Sequence, residues 1–436
     1  MVGKLFSKVQ QVSKIEIVKV FSLTSISTLV RMAAGFISIK IVAVIIGPAG
    51  IALLGQLTNF SAIIMGIATG GITTGVTKYI AQYKDDVDSV KSYIGTAVTI
   101  TLFFSVASGL FLVFGASILS SIILLDEKYS FVFIVFGVTL IFYAFNTLLL
   151  AIVNGYKQFN LYVKISVIST IAGLFLSLAL VIPFGVNGVL LNAVTSQSLT
   201  FIFAFYIAQR SDIIRFGIDK VWNKFDKTKA KQYFRFTCMT LISAFTVPVS
   251  QLIIRGHIIS HFSLQTAGWW EGLNRLSAMY LLIITSSFGV YYLPRLSELT
   301  NGKEIKREIK TAYKIVIPSL LIGLTILYFC RFIIISVLFS PEFDGMAELF
   351  LWKVVGDFLK ISAWLIAYLM QAKAMTGLFI TTEIVFIGIY IIMAFTLSNY
   401  LGIHGIVVAY AVNYALYLLT MWCVVYENYD QLTSDT

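Results

Sequence analysis

FLWKVVGDFLKISAWLIAYL, Phe350 to Leu369, has the length and apolarity of a helix that crosses a bilayer, which takes about 20 residues. Yet it carries Lys353, Asp357 and Lys360. A charge at the centre of a membrane helix costs about 2.5–3.5 kcal/mol even on insertion scales. Either this is a soluble helix, or it is a span whose charges face something other than lipid. The rest of the chain decides for the span. Of 436 residues, 58% are hydrophobic and only 12% charged, about half the charged share of a soluble globular chain, roughly 25%.

Apolar runs of membrane-spanning length recur from end to end and predict twelve spans: 20–45, 51–77, 91–121, 130–153, 161–183, 187–209, 236–260, 266–294, 314–338, 347–371, 377–399 and 403–425. The runs are too long for barrel strands, which are short and alternate, and a helix satisfies its own backbone polar groups in oil. The fold class expected is an all-α polytopic membrane protein. The first twenty residues, MVGKLFSKVQQVSKIEIVKV, lack a continuous apolar core and a small-residue cleavage site. They read as a basic amphipathic lead-in lying on the membrane surface.

Lysine and arginine then orient the chain. With the N-terminus cytoplasmic, 23 basic residues fall in cytoplasmic segments and two, Lys128 and Arg331, fall outside. Both termini are expected in the cytoplasm. This bias accounts for the net charge of +11 without nucleic acid as a partner. Cys238, Cys330 and Cys423 lie in or beside apolar segments with no metal-like spacing, and the three histidines form no HExxH-type motif. No metal site or cofactor is expected, and buried inert thiols are the reading for the cysteines.

The two halves resemble each other. FGVNGVLL (Phe184–Leu191) is answered 217 residues later by LGIHGIVV (Leu401–Val408). Asn160-Leu161-Tyr162 falls on Gly377-Leu378-Phe379 at the same offset, and Ala49-Gly50 falls on Ala267-Gly268 at 218. Six spans per half is an even number, so the copies share one orientation and relate by a pseudo-two-fold along the membrane normal. The domains expected are a six-helix lobe over 1–209, a basic cytoplasmic linker over 210–235 and a second six-helix lobe over 236–436. Two such lobes around a central cavity form an architecture for moving something across.

Seven basic residues stay within or at the edge of spans, namely Arg31, Lys40, Lys164, Arg255, Arg275, Lys353 and Lys360, against Glu271, Asp357 and Glu383, a surplus of +4. Such residues pair, snorkel or line a wet cavity. Lys353, Asp357 and Lys360 share one helical face at i, i+4 and i+7, so Asp357 neutralises one lysine of two. Glu271 and Arg275 are also i, i+4, a spacing that permits a private ion pair. Lys164 is near enough to the cytoplasmic end of its span to snorkel. Arg31, Lys40, Arg255 and one lysine of the tenth span are left over. Arg255 has snorkelling open to it, and Lys40 the outer headgroups. Fixed cations around a cavity suit a phosphate or pyrophosphate. Trp269, Trp270, Trp352 and Trp364 are placed to stack on sugar rings or to anchor at the interface.

GPAG (Gly47–Gly50), GVTKYIAQY (Gly75–Tyr83), YYLPRLSEL (Tyr291–Leu299) and WKVVGDFLK (Trp352–Lys360) together resemble the Wzx flippases. The likeness is greatest to those handling lipid III of enterobacterial common antigen, with the O-antigen flippases next. They belong to the multidrug/oligosaccharidyl-lipid/polysaccharide (MOP) exporter superfamily, which includes the MATE transporters. The resemblance runs over nearly the whole chain. It implies a two-lobed twelve-helix fold in the bacterial inner membrane and alternating access. The cargo implied is an undecaprenyl-pyrophosphate-linked oligosaccharide, turned from the cytoplasmic to the periplasmic leaflet, with polysaccharide polymerase and chain-length machinery as partners beside the membrane lipids.

On that pattern Arg31, Lys40, Arg255, Lys353 and Lys360 are the expected cavity cations for pyrophosphate. Asp357, Glu271, Arg275 and Glu383 are the pairing or coupling groups, and a proton or sodium ion is the coupling ion. Two rivals remain. A MATE-type drug/cation antiporter favours an acidic cavity, which the +4 surplus opposes. A membrane glycosyltransferase or polymerase needs a sizeable outer catalytic loop rich in carboxylates; the longest here offers Glu342 and Asp344. The chain is not expected to be an enzyme.

Overall fold

Helix breakers sit where the sequence punctuates its apolar runs, and they set the element boundaries. The computed structural model describes residues 2–210, 225–299, 301–373 and 375–427, with no side chain described before Ser27. The basic linker lies mostly outside these residues, as do the side chains of the lead-in and of Cys238. All regular elements among the described residues are helical. The first half contains α1 (Val2–Ala68), α2 (Thr73–Gln82), α3 (Val87–Phe114), α4 (Ala116–Ile123), α5 (Ser130–Gly155) and α6 (Phe159–Gln209). The second contains α7 (Lys227–His261), α8 (Leu264–Ser287), α9 (Leu293–Glu298), α10 (Gly302–Phe329), α11 (Arg331–Leu338), α12 (Met346–Ala372), α13 (Thr376–Leu401) and α14 (Ile403–Thr420).

Two helices are broken in their middles. In α1 the break is Gly47 (φ 62°) followed by Pro48; in α6 it is Gly185 (φ 53°). Seven helical segments among the described residues are long and apolar enough to cross a membrane, and the two broken ones are among them. Counting each broken helix twice and adding the long charged helices α7, α8 and α12 is consistent with twelve crossings. The chain is a multi-pass membrane protein. Large apolar side chains such as Phe114, Phe175 and Ile392 stand exposed on the helices, which is stable only where the solvent is hydrocarbon.

The internal repeat survives in backbone geometry. Gly185 and Gly402, 217 residues apart, both adopt positive φ (53° and 60°) at the turn between two spans, a region where only glycine sits without steric cost. Three residues on, Gly188 and Gly405 press against the carbonyls of Leu180 and Leu397, so that any Cβ would overlap them. Those carbonyls are again 217 apart. The duplicated motif FGVNG/LGIHG is thus a duplicated tight turn.

By compactness the chain forms two units, residues 1–38 with 61–241 and residues 39–60 with 242–436. In the first unit, Gly109 of α3 and Gly137 of α5 lie against each other's carbonyl oxygen, each within 2.6 Å of the position a Cβ would take. Membrane helices without a hydrophobic drive between them gain their association from such close backbone approach. In the second unit, α12 packs on α14, and Gly356 leaves the room that the ring of Tyr410 fills. The segment 39–60 belongs with this unit for specific reasons. Lys40 Nζ donates to the carbonyls of Ser336 and Phe339 (3.2 and 2.7 Å) at the C-terminal end of α11, where a helix favours a cation. Gly268 of α8 is pressed against the Pro48 carbonyl.

Candidate functional site

In the first unit α1, α5 and α6 surround a pocket of about 390 Å³, within the roughly 300–1,000 Å³ usual for ligand sites. Its wall is made of hydroxyls and amides on apolar helices. Among the described residues, Arg31 is its only charged lining residue, and no Asp or Glu lines it. The Arg31 guanidinium is exposed; its Nη2 donates to Ser166 Oγ (3.2 Å) and reaches Ser27 Oγ at 3.5 Å. Those two serines contact each other at 3.3 Å. A guanidinium has five donors, so two hydroxyl contacts orient it and leave donors for an anion. Asn146 of α5 donates to Gln197 Oε1 of α6 (3.2 Å), and both line the pocket with Asn192.

The second unit answers the question raised by Phe350–Leu369. Asp357 is fully buried and faces four donors. Ser277 Oγ (2.6 Å) and the Tyr280 hydroxyl donate to Oδ2, Tyr410 Oη (2.8 Å) donates to Oδ1, and Lys353 Nζ lies 3.5 Å from Oδ1. Gly356, one residue before it, admits the Tyr410 ring. Lys353 also sits 3.9 Å from the centroid of that ring. Lys360 is caged by aromatic faces, 4.7 Å from the Trp364 centroid, 5.4 Å from Tyr414 and 5.9 Å from Tyr410. Cation–π contact holds an ammonium in apolar surroundings without neutralising it. Of the two lysines, Lys353 carries the ion pair and Lys360 meets aromatic faces.

Arg255 and Glu271 depart from the sequence expectation. Glu271 does not form a private pair with Arg275. It bridges two arginines, with Oε2 2.5 Å from Arg255 Nη2 and Oε1 2.8 Å from Arg275 Nε. Arg255 is fully buried, so it neither snorkels nor stands free for an anion. Its Nη1 donates to Gln56 Oε1 (3.1 Å), Asn59 accepts from Nη1 and Nη2 (3.1 and 3.0 Å) once its amide oxygen faces them, and Trp270 lies 5.4 Å below. Arg275 also reaches Thr58 (3.4 Å). Gly55 makes the room: a Cβ there would come within 2.6 Å of the Glu271 carboxyl and 2.9 Å of the Arg255 guanidinium. These contacts fasten 48–60 to α7 and α8.

The other named residues fall out simply. Lys40 is spent on the two carbonyls of the α11 end. Glu383 lies half-buried on α13 without an ion pair among the described residues, and Lys164 is exposed near the start of α6. Trp269 donates to the Glu342 carbonyl (2.8 Å). Cys330 is half-buried and Cys423 exposed, so neither is the buried thiol that its apolar surroundings in sequence suggested. Counting charges passed over Asn146, Asn192 and Gln197, although amides inside apolar spans were visible as a signal. It also passed over Gln56 and Asn59, the polar pair in the second span that marks where a buried arginine is received.

Three comparisons bear on identity. The family described as "Polysaccharide biosynthesis protein" matches residues 17–300. Lipid III flippases of Escherichia coli (strain K12) and Shigella flexneri are each 31% identical over 397 residues, 90% of this chain and 94% of theirs. Among solved structures, a multidrug resistance MATE family transporter of the MOP superfamily in an inward-facing conformation matches with a TM-score of 0.76 at 15% identity, covering 91% of this chain and 93% of that one. An outward-facing conformation of such a transporter matches with 0.67 at 13% identity over 96% and 97%. At these identities the structures speak for the fold alone: all-α, two-lobed and MATE/MOP-like.

Proposed function

This chain belongs to the polysaccharide biosynthesis protein family, and from that premise we propose that it is a flippase for a lipid-linked oligosaccharide. The cargo is an undecaprenyl-pyrophosphate-linked unit of the lipid III or O-antigen kind. It passes by alternating access from the cytoplasmic to the periplasmic leaflet of the bacterial inner membrane, in a chain with both termini cytoplasmic and lobes over 1–209 and 236–436. Polymerase and chain-length machinery then take it up. The carrying observation is likeness at 31% identity to lipid III flippases along nine-tenths of the chain.

Local chemistry supports the reading. Arg31 offers a planar fork of donors, the geometry that matches phosphate oxygens, in a pocket lined by no carboxylate among the described residues. Lys360 offers an ammonium whose partners are aromatic rings. We assign each, within its own unit, to recognition of the anionic cargo. In the second unit Lys353 joins Lys360 when Asp357 takes up the coupling proton, because neutralising Asp357 cancels the attraction that holds Lys353 at 3.5 Å. Arg255, Glu271, Arg275 and Lys40 are structural in this arrangement.

The fold likeness to multidrug transporters favours a second reading, a drug/cation antiporter. A cationic drug in the first pocket would meet a guanidinium and no acid, which opposes it.

Arg31→Ala and Lys360→Ala, at normal protein abundance, are expected to abolish surface polysaccharide and leave lipid-linked sugar on the cytoplasmic leaflet. Normal polymer from both would overturn the reading. Full function after Asp357→Asn would remove that carboxylate as the proton carrier.

A further inference from the structure

We propose that the pocket of the first unit is a glycosyl subsite that takes the single sugar bonded to the pyrophosphate, read by the Asn146–Gln197 amide pair together with Asn192. The inference rests on the function proposed above and adds to it where the glycan is recognised.

Asn146 is 3% exposed, and its Oδ1 has no hydrogen-bond partner. Its Nδ2 is taken by Gln197 Oε1. The pair therefore presents one unmet acceptor on Asn146, with the Gln197 amino group as a donor beside it. Turning both amides over exchanges the roles and again leaves one donor and one acceptor. Asn192 Oδ1 is a second buried acceptor without a partner. Buried polar groups are normally satisfied, so two unmet acceptors on one lining point to a ligand.

A sugar hydroxyl gives and accepts at one atom, and an acetamido group gives and accepts at neighbouring atoms. Either fits the Asn146–Gln197 pair and Asn192, which together offer a donor and two unmet acceptors. Tyr162 and Leu150 on the same lining offer apolar surface to the C–H face of a ring. A phosphate set against these amides would be repelled by the unmet acceptor oxygens, so the anion stays at Arg31 and the amides are left for the sugar. The volume, about 390 Å³, lies at the low end for ligand pockets, which suits one ring rather than a chain. Arg31 lines the same pocket, so the ring it admits is the one next to the anion. The rest of the glycan stays outside, and units that share a first sugar are accepted alike.

The test uses the purified full chain in nanodiscs and two short-chain probes, polyprenyl pyrophosphate and the same lipid bearing one N-acetylglucosamine. The glycosylated probe is expected to bind about tenfold more tightly, the worth of two hydrogen bonds. Gln197→Leu and Asn146→Leu should each bring that ratio to within about twofold. Arg31→Ala should weaken both probes and keep the ratio. Asn192→Ser, at a half-buried position, reads the same ratio if Asn146→Leu fails to accumulate. If the wild-type chain binds both probes equally, or if the amide variants keep the wild-type ratio, the subsite is wrong while the flippase reading stands. If neither probe binds, both fall.

Discussion

Replacing Glu271 by Ala gives the sharpest test of how charge is buried in this protein. At 2.5 Å from Arg255, and with an effective dielectric of about 20, the Coulomb attraction is about 7 kcal/mol. Most of that offsets the cost of taking a guanidinium out of water, so the net worth of the pair is small. Removing the carboxylate alone is different. Arg255, 0% exposed, then holds its charge against only Gln56, Asn59 and the Trp270 ring. Breaking a buried pair from one side costs about 3–5 kcal/mol, and Glu271→Ala is expected to lose that much stability. Arg275 adds little, since a quarter of its side chain is exposed.

The double variant Arg255→Met/Glu271→Ala should recover much of the loss, because no charge is left buried without a partner. Reversible unfolding in mixed dodecyl maltoside–SDS micelles, run as a double-mutant cycle, measures both quantities. A coupling of about 0.5–3 kcal/mol is the range for contacting residues. A single variant that loses under about 1 kcal/mol, with no coupling in the cycle, would refute the reading of Arg255 as a fully buried, carboxylate-dependent cation.

Three further outcomes follow from the geometry. Gly402→Ala, at φ 60°, should lose about 1–2 kcal/mol for the left-handed backbone, and Gly405→Ala more, since its Cβ overlaps the Leu397 carbonyl; the same unfolding assay ranks them. Tyr410→Phe keeps the ring beside Gly356 and over Lys353 but takes the 2.8 Å donor from Asp357, and should cost about 1.5–3 kcal/mol as a hydrogen bond to a charged group. At the start of α3, Asp86 accepts from Ser89 N (3.1 Å), and hydrogen bonds from Ser89 hold its carboxyl below the usual value. A lowered folded value means the cap is fully present above about pH 4 and is lost as pH falls below it. Amide exchange at Val87–Val90, after correction for intrinsic rates, should lose protection on acidification, and in Asp86→Ala the protection should be low at every pH.

The intrahelical pairs were legible because a helix fixes its own neighbours. Lys353–Asp357 and Glu271–Arg275 meet at 3.5 and 2.8 Å, as i, i+4 spacing requires. The spans were legible because a bilayer leaves the backbone one satisfied conformation at that run length. Helix ends were less so: the second span stops at Ala68, before Gly70 and Gly71 at positive φ, where an unbroken run to 77 was expected. The ninth is interrupted at Cys330, between α10 and α11. Apolarity says how much chain suits lipid and little about where it bends.

Sequence alone therefore determined that this chain lives in a membrane as helices, that its halves repeat at 217 residues, and which charges lie at depth. These are properties of composition, run length and helical period. Tertiary structure decided what each deep charge does. Arg255 meets Gln56 across 199 positions, Lys40 meets Phe339 across 299, and Asn146 meets Gln197 across 51. No periodicity encodes such meetings, because they depend on which helices touch and at what height. Glycines 55 and 356, silent in any count of charge, set how closely the arginine and the tyrosine approach.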